Sequence, residues 1–536
     1  MSVFTFDSKT TKVTSDDIIA INNQFGVEEK DATSLDQYTS LLAVFHDACE
    51  ELESMDDFIP SVDYERFPRE AIHRPEEKDN KLNAWAYKVT IKDQKPKEGR
   101  RLLEGHKVAV KDCVAVAGVP MLLGTDFIKD YVPKTDATLI TRLLEEGAII
   151  KGKSVCENMC HSATSHSAAT GPVQNALADG YSTGGSSSGS AALVMDPNED
   201  VTIGISFDNG GSSRLPGAWS GAVAIKPTFG LIPCTGSASN EATNDYPGVL
   251  TQDVLTNAMG LQAIAGSDGI DDRGFNSITT PYYDDLLASD KSLKGMKIGI
   301  LKEGFDSPAV EERVKESCLK AIAQFEALGA VVEEVSIPFH SKGALIWTGI
   351  SKLGGYLTKT GAAIGRRGYV LHDLDEKLSE AIHDQERWEK AYPSTKNIYY
   401  NGAYATKKFP TLYSKCQNLS LKLKLAYNKA LEEYDLLVLP TVPYVARSHA
   451  VVGPDAKPFD LLGKQLGLSA NTCGFNQSGH PVLALPCGML PIQEGPLANS
   501  GTKLPVSLQL VGKWWDEKTI YKAAYAWEQN NNWKEM

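Results

Sequence analysis

A β-branched apolar run, then an amphipathic helical stretch, then a second apolar run recurs along this chain, and few architectures accept that order. Val108-Ala109-Val110 has strand character, residues 136–146 (DATLITRLLEE) predict a helix with Asp136 as N-cap candidate and Gly147 as its stop, and Ala148-Ile149-Ile150 returns to strand. The same order reappears at Lys297–Leu301, residues 310–328 with Gly329 behind them, and Val331–Val335. A helix between two such strands must lay its apolar stripe on the sheet they form, so the expected fold class is α/β, a sheet covered by helices.

Two stretches depart from that alternation. From Ser15 to about Asn80 the text is polar and acidic, with Leu41, Leu42, Phe45, Cys49 and Leu52 at helical spacing, which predicts an N-terminal helical segment over residues 1–82. Residues 341–435 hold long helical candidates, 377–390 and 419–433, and are expected to form a helical insertion, a small domain within the sheet-bearing part. Residues 83–340 would then be the first part of the core. Strand-like runs at 436–439, 482–485 and 506–511, with a last helix ending at Trp527, make residues 436–536 its second part, rejoining the same sheet. No internal repeat of fixed period is present.

Composition narrows the function classes. The 536 residues suggest about three domains, or one large enzyme core with appendages, at roughly 150 residues per domain. With 42% hydrophobic and 23% charged residues the chain is neither disordered nor fibrous. A net charge of −14 would repel a phosphate backbone, so nucleic acid is not an expected partner. Nine cysteines, an odd number without dense spacing, point to reduced thiols. The first residues, MSVFTFDSKTTKVTSDD, carry no basic stretch followed by an apolar one, and no window reaches the ~20 apolar residues of a membrane span. The last four, WKEM, match no retention or peroxisomal signal, and a cytoplasmic location is expected.

The residues that can carry chemistry lie in two turns and one strand end. Gly184-Gly185-Ser186-Ser187-Ser188-Gly189-Ser190 opens directly into Ala191-Ala192-Leu193-Val194, so the Gly/Ser run feeds a helix start, where backbone N–H groups and small hydroxyls face a polar ligand. A second turn, Asp208-Asn209-Gly210-Gly211-Ser212-Ser213-Arg214-Leu215-Pro216, places a glycine pair before a serine, which allows close backbone approach and several N–H groups aimed at one oxygen. A tight turn in which Arg214 ties down Asp208 is the structural alternative. Lys111 closes an apolar run; a strand-end lysine usually snorkels to water, but beside two serine-bearing turns it can instead be desolvated, its pKa falling from ~10.4 toward ~7–8, where a lysine amine can serve as base for a serine.

Through these blocks the chain resembles the amidase signature enzymes, which hydrolyse amides with a Ser-cisSer-Lys triad. The likeness runs from Val108-Ala109-Val110-Lys111-Asp112 through Gly118-Val119-Pro120, Asp136-Ala137-Thr138, Gly152-Lys153, Asn175, both Gly/Ser turns and Lys226-Pro227-Thr228-Phe229-Gly230. Gly479-His480-Pro481 and Leu508-Gln509-Leu510-Val511-Gly512 extend it over nearly all of the chain after about residue 83. The resemblance implies the amidase signature fold, a central mixed β-sheet flanked by helices. It implies Lys111 as base, Ser186 as the serine with the cis bond, and Ser212 as nucleophile. Asn209, Gly210, Gly211 and Ser212 would supply oxyanion N–H groups, with Gly185, Ser187, Asp208 and Arg214 in support. No cofactor and no metal are implied.

The chain departs from the family in two places: the step from Ser186 to Ser212 is longer than usual, with Met195-Asp196-Pro197-Asn198-Glu199-Asp200 as the inserted loop, and Ser213 stands where an aliphatic residue is usual. Ser212, directly after the glycine pair, is taken as the nucleophile. Within the family the chain resembles the broad-specificity amidases found beside nitrile hydratases and yeast urethane-hydrolysing relatives, through residues 152–158 with Cys160, Gly171-Pro172-Val173, and the N-terminal and inserted helices. That resemblance implies a serine amidohydrolase releasing ammonia from small amides or carbamate esters through an acyl-enzyme. The alternative is the amidase-like subunit of a glutamine-dependent amidotransferase, which needs a partner. A homo-oligomer is expected, with the N-terminal helices as a dimer face.

Cys156, Cys160 and His161 lack a second ligand pair at zinc-like spacing and are expected to be a helix-face thiol cluster. His480 has no Gly-x-Ser-x-Gly elbow ahead of it, so a Ser-His-Asp hydrolase is not expected. Asp245 is a minor candidate near the site, and Trp347 and Tyr356 are candidates for lining an acyl pocket.

Overall fold

In the computed structural model residues 8–128, 130–361, 367–453 and 455–536 are described. The chain divides after Pro60 into an N-terminal unit and a unit of residues 61–536.

The N-terminal unit is two helices, Ser15–Phe25 and Ala32–Glu53. The first is opened by the Thr14 N–H donating to Asp17 Oδ2 (2.8 Å) and stopped by Gly26 at φ 69°, the second opened by Asp31 Oδ2 accepting from the Ser34 N–H (2.7 Å). The expected helical segment over residues 1–82 is therefore too long. Pro60, Pro68 and Pro75 interrupt any helix beyond Glu53 because proline lacks the N–H and crowds the preceding turn, and the chain instead forms the edge strand Glu70–His73 of the second unit.

That unit is built on a sheet of twelve strands among the described residues. Read across, they are Glu70–His73, Trp85–Ile91, Ile149–Ser154, Lys107–Lys111, Ile203–Asp208, Tyr246–Thr251, Val223–Lys226, Val482–Pro491, Lys503–Val511, Leu436–Pro440, Lys297–Leu301 and Val331–Val335. Lys107–Lys111 runs parallel to both its neighbours, as does Lys297–Leu301, and the remaining pairs are antiparallel, so the sheet is mixed. The central strands Ile203–Asp208, Tyr246–Thr251, Val223–Lys226 and Leu436–Pro440 are buried at every position, as strands covered on both faces must be. The pairing of Val482–Pro491 with Val223–Lys226 joins the C-terminal residues to the first half of the sheet.

Residues 341–435 supply the helices Gly343–Lys359, His372–Ala381, Gln385–Lys390, Pro393–Lys408 and Leu412–Glu433, all inside the larger unit rather than a unit of their own. The single helix expected over 377–390 is broken. Asp384 Oδ1 accepts the Arg387 N–H (2.8 Å), an N-cap that starts a new helix. Among the described residues no helix is long and apolar enough to cross a membrane.

Candidate active site

Lys111 is the last residue of a central strand and is fully buried, so its ammonium must find partners inside the protein. Nζ donates to Ser186 Oγ at 2.9 Å and to the carbonyl of Phe207 at 3.2 Å. Phe207 belongs to the neighbouring parallel strand, so two strand ends converge on this amine.

Ser186 sits in the Gly/Ser turn before the helix Ser188–Met195, and the Gly185–Ser186 peptide bond is cis. The glycines ahead of it are required by packing: a Cβ on Gly185 would lie 2.7 Å from the Ser162 carbonyl oxygen, and one on Gly184 (φ 81°) 2.9 Å from Pro216 Cα. Ser187 Oγ donates to the Phe207 carbonyl (3.3 Å). Glu157, to which the sequence assigned no role, braces the turn. Its N–H donates to the Ser186 carbonyl (3.1 Å), while its carboxylate accepts from Ser188 Oγ (2.8 Å) and from Ser167 Oγ (2.5 Å) and N–H (2.8 Å). Burial pushes this carboxyl up to about 7.

The second turn is organised by Asp208. Its Oδ1 accepts the Gly211 N–H at 2.7 Å and Arg214 Nη2 at 3.0 Å; its Oδ2 accepts the Ser213 N–H at 3.1 Å and Arg214 Nε at 3.0 Å. Burial would raise this carboxyl, but the Arg214 guanidinium outweighs it and holds the group well below the usual range. Arg214 thus ties down Asp208, as the tight-turn alternative has it. Arg214 is itself satisfied by the Thr472 carbonyl (2.9 Å), Gln509 Oε1 (2.9 Å) and Asn476 Oδ1 (2.7 Å), residues from far along the chain.

Two carbonyls of the turn are pinned from outside it. Trp347 Nε1 donates to the Asn209 carbonyl (2.9 Å), and Thr472 Oγ1 to the Gly210 carbonyl (2.7 Å). In a trans peptide the N–H points away from the C=O, so fixing these oxygens fixes the following N–H groups as well. One expectation needs correction. The Gly211 N–H is turned to Asp208 Oδ1 and is not a free oxyanion donor, which leaves Asn209, Gly210 and Ser212 as the turn's N–H groups not bonded to Asp208.

The adjacent serines separate cleanly. Ser213 is fully buried with its Oγ 2.7 Å from Ser206 Oγ, whereas Ser212 is part-exposed and borders a small cavity together with Lys111, Ser186, Cys113, Cys160 and Asp245. Ser212 also lines a larger cavity of about 370 Å³, bounded by Trp347 and by residues of Gly343–Lys359 and Pro393–Lys408. Asp245 accepts from Asn209 Nδ2 (2.8 Å) and Ser239 Oγ (2.6 Å), steadying the turn from the side. Trp347 lines the larger cavity as expected; Tyr356 does not, its ring lying against Gly402 instead.

The environment of Lys111 differs from the sequence expectation. Burial lowers its pKa, but Cys160, Cys113 and Cys156, with Asp208 behind them, outweigh burial and hold the ammonium above its ordinary value. The thiols are not on a helix face. Cys160 ends a short 3-10 turn, Asn158–Cys160, and hydrogen bonds with Cys113 and Cys156 hold it well below the usual thiol range. Among the described residues no group of three His, Cys, Asp or Glu side chains is arranged to hold a metal ion. His480 is buried among Ser478 Oγ (3.0 Å) and Asn428 Oδ1 (2.9 Å), is pushed down to about 3 by burial, and lines neither cavity that Ser212 borders.

The Amidase family profile matches residues 68–521, which is most of the chain. The chain belongs to the Amidase family. This amidase-family chain is 34% identical over 460 residues to the enantioselective amidase of Rhodococcus rhodochrous, covering 85% of this chain and 84% of that protein. It is 32% identical over 441 residues to a glutamyl-tRNA(Gln) amidotransferase subunit of Exiguobacterium sibiricum, covering 81% and 86%. In fold it is similar to 6-aminohexanoate cyclic dimer hydrolase complexed with substrate, with a TM-score of 0.67, 20% identity, and 80% and 86% of the two chains covered. The mixed sheet flanked by helices is the amidase signature fold.

Proposed function

We propose that this protein is a stand-alone serine amidohydrolase that cleaves small amides or carbamate esters and releases ammonia. The observation that carries the reading is the 2.9 Å hydrogen bond from Lys111 Nζ to Ser186 Oγ, with Ser212 on the same small cavity. In the neutral form Lys111 takes a proton from Ser186, which takes one from Ser212 as its Oγ attacks the carbonyl carbon. A hydroxyl both donates and accepts, so Ser186 can relay the proton without holding charge. The negative charge that develops on the carbonyl oxygen is met by N–H groups drawn from Asn209, Gly210 and Ser212, the Gly211 N–H being held by Asp208. The proton returns along the same path to the leaving amine, and water then cleaves the acyl-enzyme.

The relative named an enantioselective amidase supports an enzyme acting by itself. The relative named as an amidotransferase subunit favours a second reading, a partner-dependent chain that takes glutamine as amide donor. The test is ammonia release by the purified chain alone from propionamide, benzamide, glutamine and ethyl carbamate, beside the Ser212→Ala protein. Release from simple amides or the carbamate that vanishes in the variant is expected. Release from glutamine alone would favour the partner-dependent reading, and undiminished release by the variant would remove Ser212 as nucleophile.

A further inference from the structure

The cavity beside Ser212 is unusual in its charge. The chain as a whole carries 68 acidic residues against 54 lysines and arginines, yet among the described residues lining this cavity there is no Asp or Glu, and Lys352 is the one lysine or arginine. The Cys160 thiol, held below its usual range, also borders the cavity, but burial alone accounts for the shift at Lys352, so the thiol does not compensate it. Lys352 is presented by a single face of the helix Gly343–Lys359, on which Ala344, Trp347, Thr348 and Ser351 also line the cavity, at the i, i+3, i+4 spacing of neighbours on a helix. Trp347 on this face holds the Asn209 carbonyl of the catalytic turn, so the helix fixes Lys352 relative to Ser212. Five residues at ~1.5 Å each set Lys352 about 7.5 Å farther along the helix axis than Trp347.

Among the described residues Lys352 forms no ion pair. Its pKa is lowered to about 8 by burial, with no neighbouring carboxylate to raise it, and at neutral pH it remains largely an ammonium. His161, the other titratable nitrogen on the cavity wall, is pushed well below its ordinary value by burial and by Lys359 and Lys352, so it adds no second charge. A partly desolvated cation without a counter-charge is costly, and an arriving carboxylate would supply both the charge and the hydrogen-bond acceptor it lacks. Ser394 and Asn397 on the facing helix Pro393–Lys408 offer further polar contacts at the same wall.

We infer that this cavity takes linear amides that bear a carboxylate remote from the scissile bond, bound by Lys352, such as the monoamides of short dicarboxylic acids. This rests on the hydrolase reading above and names its substrate class. The decisive quantity is a ratio: kcat/KM for succinamic, glutaramic and adipamic acids divided by kcat/KM for butyramide, valeramide and hexanamide, measured as ammonia release by the full chain. In the wild-type protein the ratio for the best-fitting length is expected to exceed tenfold, to fall at least tenfold in Lys352→Met, mainly through KM, and to invert in Lys352→Glu. A wild-type ratio at or below one, or a ratio that Lys352→Met leaves unchanged, would overturn the inference while leaving amide hydrolysis intact. Calorimetric titration with succinate, glutarate and adipate decides the anion site even if no amide is turned over. Binding of one diacid by the wild-type protein that Lys352→Met weakens at least tenfold would support the site, and equal binding or none by both proteins would remove it.

Discussion

Lys111 Nζ and Ser186 Oγ lie 2.9 Å apart with both side chains closed off from solvent, and Ser186 borders the same small cavity as Ser212. An exposed lysine would exchange its partners for water within nanoseconds, whereas this pair is held by the ends of two parallel strands and by the braced Gly/Ser turn. A proton route that depends on direction needs that constraint.

If the three residues act as one relay, Lys111→Ala, Ser186→Ala and Ser212→Ala should each lower kcat/KM by about 10³-fold or more, and the Lys111→Ala/Ser186→Ala double variant should cost little beyond the worse single change. Steady-state kinetics on one simple amide checks this. Additive losses would mean that the two residues do not work on one proton.

The thiols around Lys111 raise its pKa, Cys160 being the largest of these contributions. Since the base must be the neutral amine, activity should rise with pH through the Lys111 titration. Cys160→Ala removes a contribution that raises that pKa and should move the acid limb of the kcat/KM profile to lower pH. An acid limb that stays in place would show that Lys111 does not govern it.

Thr472→Val keeps the shape of the side chain but deletes the donor to the Gly210 carbonyl. With the turn less firmly oriented, kcat should fall about tenfold, equivalent to ~1.4 kcal/mol of barrier, with KM changed less than twofold. A matching rise in KM would instead indicate a loss of substrate binding.

Asp208 and Arg214 are a buried, hydrogen-bonded pair, both with 0% exposed side chains. Replacing Asp208 with Asn leaves the guanidinium uncompensated and should cost about 3–5 kcal/mol in urea denaturation. The sign of the pH effect follows from the depressed carboxyl. Its stabilisation is present above the ordinary value of 3.8 and is lost as pH falls toward the folded value, so the wild-type and Asp208→Asn proteins should converge in stability only in strong acid.

Glu528 behaves in the opposite sense. Burial, with Asp253 nearby, raises it from 4.5 to about 8, although it accepts the Val254 N–H (3.0 Å). The folded state therefore holds its proton more tightly than the unfolded one, and stability should decline as pH rises from about 4.5 to 8. Glu528→Gln should flatten that slope, which Tm measured across this range would reveal.

The alternation of apolar runs and helical stretches determined the α/β class, and the strands at Lys107–Lys111, Lys297–Leu301 and Val331–Val335 stand where periodicity placed them because strand patterning is local. Both Gly/Ser turns were legible for the same reason, as glycine and serine at fixed offsets report backbone conformation directly. The expected helical segment ran on to residue 82 although its helically spaced apolar residues end at Leu52, next to the observed helix end at Glu53. Tertiary structure alone decided which serine faces the cavity, because Ser206, which occupies Ser213, lies on a strand and not in the turn. It alone brought Thr472, Asn476 and Gln509 onto Asp208 and Arg214, and Trp347 onto Asn209. It also reversed the direction expected for Lys111: sequence shows an apolar strand around the amine, but not the thiols of Cys113, Cys156 and Cys160 that the fold gathers beside it. Local pattern specifies conformation and the kind of chemistry available; hydrogen-bond partners and the charge on a buried group depend on residues from separate segments of the chain, some of them more than two hundred positions apart, and only packing brings those together.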